Sequence, residues 1–323
     1  MHLKKHRNSD TLSLKLGKSV HLSSVHHPFD TRIFYKECIS LKKAGFDISL
    51  IAPHSHADEV QGIKIYPVKK YSSEYKRIIF TGWQVYKKAK ELGDKHTVFH
   101  FHDPELIPFC LLLKLKGLKV IYDVHEDVPR QILSKPWIPR ILKTTISYLV
   151  AKIESIAAMS FDKIIAAEPV TYKRFPPNKT ELIRNYSIIN ELKLANLNSG
   201  ENNIVYAGSI TEIRGIRQLI KALELIPINY NVRLKLAGSF VPISLLDEMK
   251  KLPKWSKVDY IGWVDRNSLS ELMTDCKIGM VVLNPVPKYL EAYPTKLFEY
   301  MSVGLPSIIS DFPLWKEIMK EYQ

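Results

Sequence analysis

The sequence predicts an α/β protein made of two doubly wound domains in tandem, and three observations carry that expectation. Short apolar runs rich in β-branched residues alternate with longer segments of helical period. A polar, Asn-rich stretch, "SIINELKLANLNSGENN", interrupts this alternation once, and the pattern then restarts. The chain of 323 residues is also long enough to bury two cores.

In the first half the expected strands are "SVHLSSV", "FDISLIAP", "GIKIYPV", "TVFHFHD", "LKVIYDVH", "KIIAAE" and "TELIRNY". Between them run "RIFYKECISLKKAG", "YKRIIFTGWQVYKKAKEL", "PELIPFCLLLKLKG" and "PRILKTTISYLVAKIESIAAM". In the second of these, Ile78, Gly82, Val85 and Ala89 recur at helical spacing with lysines opposite. Continuous apolar strands with crossover helices indicate a parallel sheet covered on both faces. Beyond the interruption the strands are "NIVYAGSI", "VRLKLAGSF", "VDYIGWV", "IGMVVLN" and "LPSIIS", with helices expected over 214–226, 243–251, 267–275 and 294–303. The boundaries read as a basic extension 1–18, a first domain 19–187, a linker 188–202 and a second domain 203–323. Ligands of such sheets bind beyond the carboxyl ends of the strands, so a cleft between the halves is the expected site.

Composition narrows the function. Hydrophobic content of 46% and charged content of 25% are ordinary for a globular protein. Cys38, Cys110 and Cys276 lie far apart, without a CxxC pair, which argues against a disulfide framework or a zinc site and fits a reducing compartment. The most apolar segments are broken by lysines or a glutamate well short of a membrane span, and the N-terminus lacks the apolar core of a secretion signal. The net charge of +14 is lopsided: residues 1–187 carry 31 Lys+Arg against 18 Asp+Glu, and residues 188–323 carry 16 against 15. An anionic membrane surface or a phosphorylated acceptor suits the basic half. Nucleic acid is disfavoured, because no finger spacing, RNP-like strand or long basic block accompanies the charge. Neither half carries GxGxxG, against a nicotinamide or flavin cofactor.

The stretch "EAYPTKLFEY" sets Glu291 and Glu299 on either side of Pro-Thr-Lys. Pro294 suits the first turn of a helix, whose N–H groups at Thr295, Lys296 and Leu297 would face an anion with the help of about half a positive charge from the macrodipole. Lys296 adds a full charge. Glu299, a turn further in, and Glu291, ahead of the helix, could each accept paired hydrogen bonds from a vicinal diol. A nucleotide sugar has that layout: ribose diol, diphosphate, hexose hydroxyls. Two exposed acids near a helix start is the plainer reading. In "YAGSITEIRGI", Gly208 ends a strand and Arg214 precedes the next helix, within reach of a diphosphate; a plain strand–loop–helix joint looks the same.

These stretches, with "YMSVGLPSI", "LKLAGS" and "YIGWV", resemble the retaining glycosyltransferases of family 4 (glycosyl transferases group 1) over most of 203–310. The first half is similar more loosely, in "VHHPFDTRIFYKE", "FDISLIAP", "FHFHDPEL", "YDVHED" and "DKIIAAE". The resemblance implies the GT-B fold of two facing Rossmann-like domains. It also implies transfer of a sugar from a UDP- or GDP-linked donor to a hydroxyl of a polysaccharide or lipid-linked oligosaccharide. In that likeness Glu299 holds the donor ribose, Glu291 the transferred sugar's hydroxyls, and Arg214 the diphosphate. Trp263 and Val264 lie where the base is read, and His125 matches the histidine near the donor sugar. His26, His27, Asp30, Arg32 and His102 fall on the acceptor side. Catalysis is expected from His125, Glu291 and Arg214 by same-face substitution, without a bound metal or other cofactor. The expected location is cytoplasmic, peripheral on the membrane's inner face.

The chain departs from the family at Ser209, where an arginine is usual, and at Pro294, where a glycine supplies a donor amide. It also ends at Gln323, where the family continues with another strand–helix unit, so a shortened C-terminal end is expected. A nucleotide-sugar epimerase or hydrolase of the same architecture, or a non-catalytic binding protein, are the alternative functions.

Other residues keep two readings. His100 and His102 alternate on a strand, where packing is the commoner role of an imidazole. His26 and His27 precede Pro28 and could mark a turn, and Asp30 with Arg32 could be an ion pair capping the next helix.

Overall fold

A computed structural model of the chain describes residues 16–125, 127–134 and 138–321. It divides into two compact units, one of residues 1–129 and 144–184, the other of residues 130–143 and 185–323. Most of the extension 1–18 lies outside the described residues, and Lys18 already opens the first strand.

The first unit is built on an eight-stranded sheet. Its strands are β1 (Lys18–Leu22), β2 (Asp47–Pro53), β3 (Asp58–Val60), β4 (Ile63–Val68), β5 (Thr97–Phe101), β6 (Lys119–Val124), β7 (Lys163–Ala166) and β8 (Thr180–Leu182). Their spatial order is β3-β4-β2-β1-β5-β6-β7-β8, parallel except for the β3–β4 pair. Strand alternation sends Val20, Leu22, Phe99, Phe101, Val120 and Tyr122 to one face, under the helices Gly82–Leu92 and Ile107–Leu115. The opposite face buries Ile48, Leu50, Ile63 and Ile65 against Ile33, Phe34 and Ile39. The helix Thr31–Cys38 covering that face starts on a wide turn: the Tyr35 amide donates to the Asp30 carbonyl, five residues back, at 3.4 Å.

The second unit holds β9 (Asn203–Ala207), β10 (Arg233–Ala237), β11 (Val258–Gly262), β12 (Cys276–Val281) and β13 (Ser307–Ile309), all parallel. Their order, β11-β10-β9-β12-β13, reverses direction between β9 and β12. Both faces are apolar and covered. Val205, Leu297, Tyr300 and Trp315 pack on one side, and Ile204, Leu234, Leu236, Ile216, Ile220 and Met249 on the other. Crossover connections therefore leave the ligand-accessible end where the order reverses.

Each strand expected from the sequence is present. The antiparallel β3 was not expected, since three residues carry too little periodicity to read. The helices Val128–Ser134 and Pro313–Glu321 also went unread. Residues 188–202 form neither helix nor strand, yet they are packed. Leu192 is buried, the Ala195 amide donates to the Val303 carbonyl at 2.8 Å, and the Asn196 amide donates to the Thr274 carbonyl at 2.9 Å. Among the described residues no helix is long and apolar enough to cross a membrane.

Candidate functional site

The geometry of the second unit begins with Tyr300. Its hydroxyl accepts the Ala207 amide at 3.1 Å and donates to the Val205 carbonyl at 3.4 Å, fastening the helix Thr295–Ser302 to the end of β9. Pro294 is the residue before that helix, with extended backbone, and the first intrahelical bond runs from the Leu297 amide to the Pro294 carbonyl at 2.9 Å. Leu297 thus uses its own amide and buries its side chain, which corrects the expectation that it faces an anion. The amides of Thr295 and Lys296 precede that bond.

Anchoring of this helix carries Lys296 over the end of β9. Its Nζ sits 3.6 Å from the centre of the Tyr206 ring, shielded from solvent and without a hydrogen-bond partner. Gly208 has φ +124° and no side chain, and the space where a Cβ would stand is 3.7 Å from both Lys296 Nζ and Arg214 Nη1. Arg214 is held by the Tyr289 hydroxyl, which accepts from Nε at 3.3 Å, and by the Ser209 carbonyl, which accepts from Nη1 at 3.5 Å. The Tyr206 hydroxyl donates to the same carbonyl at 3.0 Å. Ser209 therefore contributes through its backbone. Burial and the nearby Arg214 charge push the Lys296 ammonium well below the ordinary lysine range, and Glu299 opposes them only in part. Two cations converging on bare backbone at the sheet's point of reversal make a ready anion site.

Both acids are held by arginines. Glu299 Oε1 meets Arg266 Nη1 at 2.5 Å, and Arg266 Nη2 meets Glu191 Oε2 at 2.5 Å. Glu291, largely exposed, meets Arg130 Nη1 at 2.5 Å. Arg130 belongs to the 130–143 segment that packs with this unit. Trp263, 75% exposed, and Val264, packed against the core, follow β11 at the sheet edge, two strands out from β9.

The first unit gathers a polar cluster at the ends of β1, β5 and β6. Asp103 Oδ2 accepts the Ser23 hydroxyl at 2.7 Å and the Ser24 amide at 2.6 Å, while Oδ1 pairs with His26 Nδ1 at 2.7 Å. Burial would raise the Asp103 carboxyl, but His26 and the two serines outweigh it and hold it well below the carboxylate range. Asp123 takes Arg32 through Nη2 at 2.6 Å and Nε at 2.9 Å, and also meets His102 Nδ1 at 3.1 Å and His125 Nδ1 at 3.4 Å. His125 Nε2 and His26 Nε2 lie 3.3 Å apart. Burial pushes His102 down to about 4 although Asp123 opposes it.

This arrangement corrects four expected acceptor contacts. Arg32 and His102 are 5% and 2% exposed, so they support the cluster from beneath. Asp30 caps the helix, accepting the Arg32 and Ile33 amides at 2.8 and 3.0 Å, while the Arg32 guanidinium goes to Asp123 instead. His27 turns away, accepting the Phe29 amide at 3.2 Å and leaning towards His54. His26 and His125 stay together.

Sequence reasoning missed Asp103, Glu37, Arg266, Glu191, Tyr206 and Tyr289. Asp103 had a signal, since it closes the expected strand "TVFHFHD". The others depend on tertiary pairing and had none.

Residues 189–323 match the family model described as Glycosyl transferases group 1. An uncharacterized glycosyltransferase of Methanocaldococcus jannaschii is 23% identical over 296 residues, covering 81% of this chain and 70% of the relative. Among solved structures, WaaG, a glycosyltransferase involved in lipopolysaccharide biosynthesis, superposes with TM-score 0.68 at 16% identity, over 94% of this chain and 84% of WaaG. Anabaena HepE, solved with UDP and glucose, gives TM-score 0.65 at 14% identity, over 94% of this chain and 83% of HepE. At such identities these superpositions speak to the fold. Residues 189–323 are thus similar to the glycosyl transferases group 1 model, and the fold of the chain is the GT-B architecture of these solved structures.

Proposed function

We propose that the chain is a retaining glycosyltransferase that moves a sugar from a UDP- or GDP-linked donor to a hydroxyl of a polysaccharide or lipid-linked oligosaccharide. One observation carries this reading most directly: Arg214 and Lys296 converge on the Gly208 backbone with Lys296 unpaired. A diphosphate would satisfy both cations. Thr295 and Lys296 would add amides, Glu299 would take the ribose diol after parting from Arg266, and Glu291 the hydroxyls of the transferred sugar. Trp263 and Val264 are assigned to the base by resemblance. His125, steadied by Asp123 and paired with His26, is the histidine assigned to the transferred sugar.

In the proposed reaction the bond from the anomeric carbon to the diphosphate oxygen breaks, and its electrons stay with the phosphate. The acceptor oxygen bonds to the same face and its proton passes to the departing oxygen. Arg214, Lys296 and the helix dipole stabilise the charge that develops there, the dominant electrostatic contribution. No metal takes part in this step.

The partners that suit the protein are a glycan or lipid-linked acceptor and an anionic membrane surface on the cytoplasmic side. The helix Arg140–Ala158 supports the latter by exposing Ile141, Leu149, Ile153 and Ile156 beside Arg140, Lys143 and Lys152.

Incubation with labelled UDP- and GDP-sugars tests the proposal. Acceptor-dependent release of nucleotide with retained anomeric configuration is expected. Release without acceptor would mean hydrolysis, and binding without turnover a non-catalytic protein. Glu299→Ala is expected to weaken nucleotide binding about tenfold or more, and Glu291→Ala mainly to slow turnover. Unchanged affinity and rate in both variants would remove the site assignment.

A further inference from the structure

Three imidazoles and a carboxylate occupy the middle of the first unit's second face, where apolar side chains would ordinarily pack. The β1–β5 register sets His21 beside His100, His102 follows two residues on, and Glu37 reaches down from the helix Thr31–Cys38. His21, His100 and His102 are 0%, 4% and 2% exposed. Their ring centroids are 4.5, 5.2 and 4.8 Å apart.

One ligand atom from each of the four residues lies within 4.8 Å of every other. His21 Nε2, His100 Nε2 and Glu37 Oε2 have neither a hydrogen-bond partner nor solvent. Buried polar atoms are ordinarily paired, so three unpaired ones on neighbouring side chains are unusual for groups that merely pack. Glu37 Oε2 stands 3.8 Å from His100 Nε2 and 3.9 Å from the Nδ1 atoms of both His21 and His102, too far to hydrogen-bond, while His21 Nδ1 and His102 Nε2 hydrogen-bond each other at 3.0 Å.

We propose that His21, Glu37, His100 and His102 form a buried site for a divalent transition-metal ion of the zinc class, separate from the sugar-transfer reaction. Three nitrogens and one carboxylate oxygen are a donor set that zinc accepts. Tetrahedral coordination sets ligand atoms about 3.3 Å apart, so small rotations of the rings and of Glu37 close the cage. With His102 Nδ1 held 3.1 Å from Asp123, the carboxylate support that metal-bound histidines commonly have, its Nε2 would be the ligand, released from its bond to His21 Nδ1. With the ion bound, the carboxylates of Glu37 and Asp123 would set two negative charges against it and Arg32, whose Nε is 3.0 Å from Glu37 Oε1. The ion would tie the wide-turned helix to β1 and β5 and so hold Arg32 and Asp123 in place beneath His125.

The test uses the full chain, stripped with chelator and then given Zn2+ or Co2+. About one zinc per chain should bind in competition with a chromophoric chelator, the melting temperature should rise, and Co2+ should give the visible bands of a tetrahedral site. His100→Ala and Glu37→Gln should each reduce bound zinc to about a tenth or less. His54→Ala with His56→Ala, in a more exposed histidine cluster, should leave it unchanged. Absence of both stoichiometric zinc and cobalt bands in the unaltered chain would overturn the proposal, whatever the variants do. So would zinc that survives His100→Ala and disappears with His54 and His56.

Discussion

Lys296 concentrates the energetics of the candidate site in one nitrogen. Its ammonium is buried over Tyr206 beside Arg214 with no hydrogen-bond partner, an arrangement unfavourable to the empty protein and favourable to an anion. Lys296→Met should therefore raise the melting temperature of the nucleotide-free protein while weakening UDP or GDP binding by about tenfold or more; calorimetry and titration read the two effects separately. Because the folded-state pKa lies below the unfolded value, the unfolded chain holds more protons between them. Stability of the empty protein should rise with pH through that window, towards the ordinary lysine value of about 10.4. Nucleotide affinity should fall with pH over the same window, since the bound anion calls back the proton. Both slopes should vanish in the methionine variant.

At the scale of elements, placement of that nitrogen depends on how the helix Thr295–Ser302 is fastened. Tyr300→Phe strips the buried Ala207 amide of its acceptor and should destabilise the second unit by about 1–3 kcal/mol, with a parallel loss of nucleotide affinity. Denaturant melts followed with and without UDP would show both. In the first unit, Arg32→Met leaves Asp123 and Glu37 without their guanidinium and should cost about 3–5 kcal/mol, read in the same way. The helix itself was legible, because Pro294 and Gly304 bracket an apolar period that local rules can read. What Arg32 and Arg266 hold was not legible: Asp123 is 91 residues away from the one and Glu191 is 75 away from the other. Pairings at that separation are decided by topology. Asp30 shows the opposite case, since its capping role follows from neighbours two and three residues on and could be read directly.

For the whole molecule, charge is the feature with a measurable consequence. Residues 1–187 carry almost all of the +14 net charge, and Arg140–Ala158 exposes a stripe of aliphatic side chains within that half. Co-sedimentation should favour anionic over neutral vesicles, and the preference should fade as salt shortens the screening length from about 10 Å at 0.1 M towards about 3 Å at 1 M. Equal partitioning to both vesicle types would leave the charge without a role in binding. The lopsided charge was countable from residues alone. Which apolar residues of Arg140–Ala158 stay uncovered was not, because its helical period also suits a buried helix.

Arg266 is clamped between Glu191 and Glu299, so on the proposed reading a ribose bound for Glu299 would meet an occupied latch. Capture would then proceed in two kinetic stages, a rapid landing of the diphosphate followed by a slower release of the guanidinium. Loosening the latch from the far side, by neutralising Glu191, would alter the second stage and leave the first untouched.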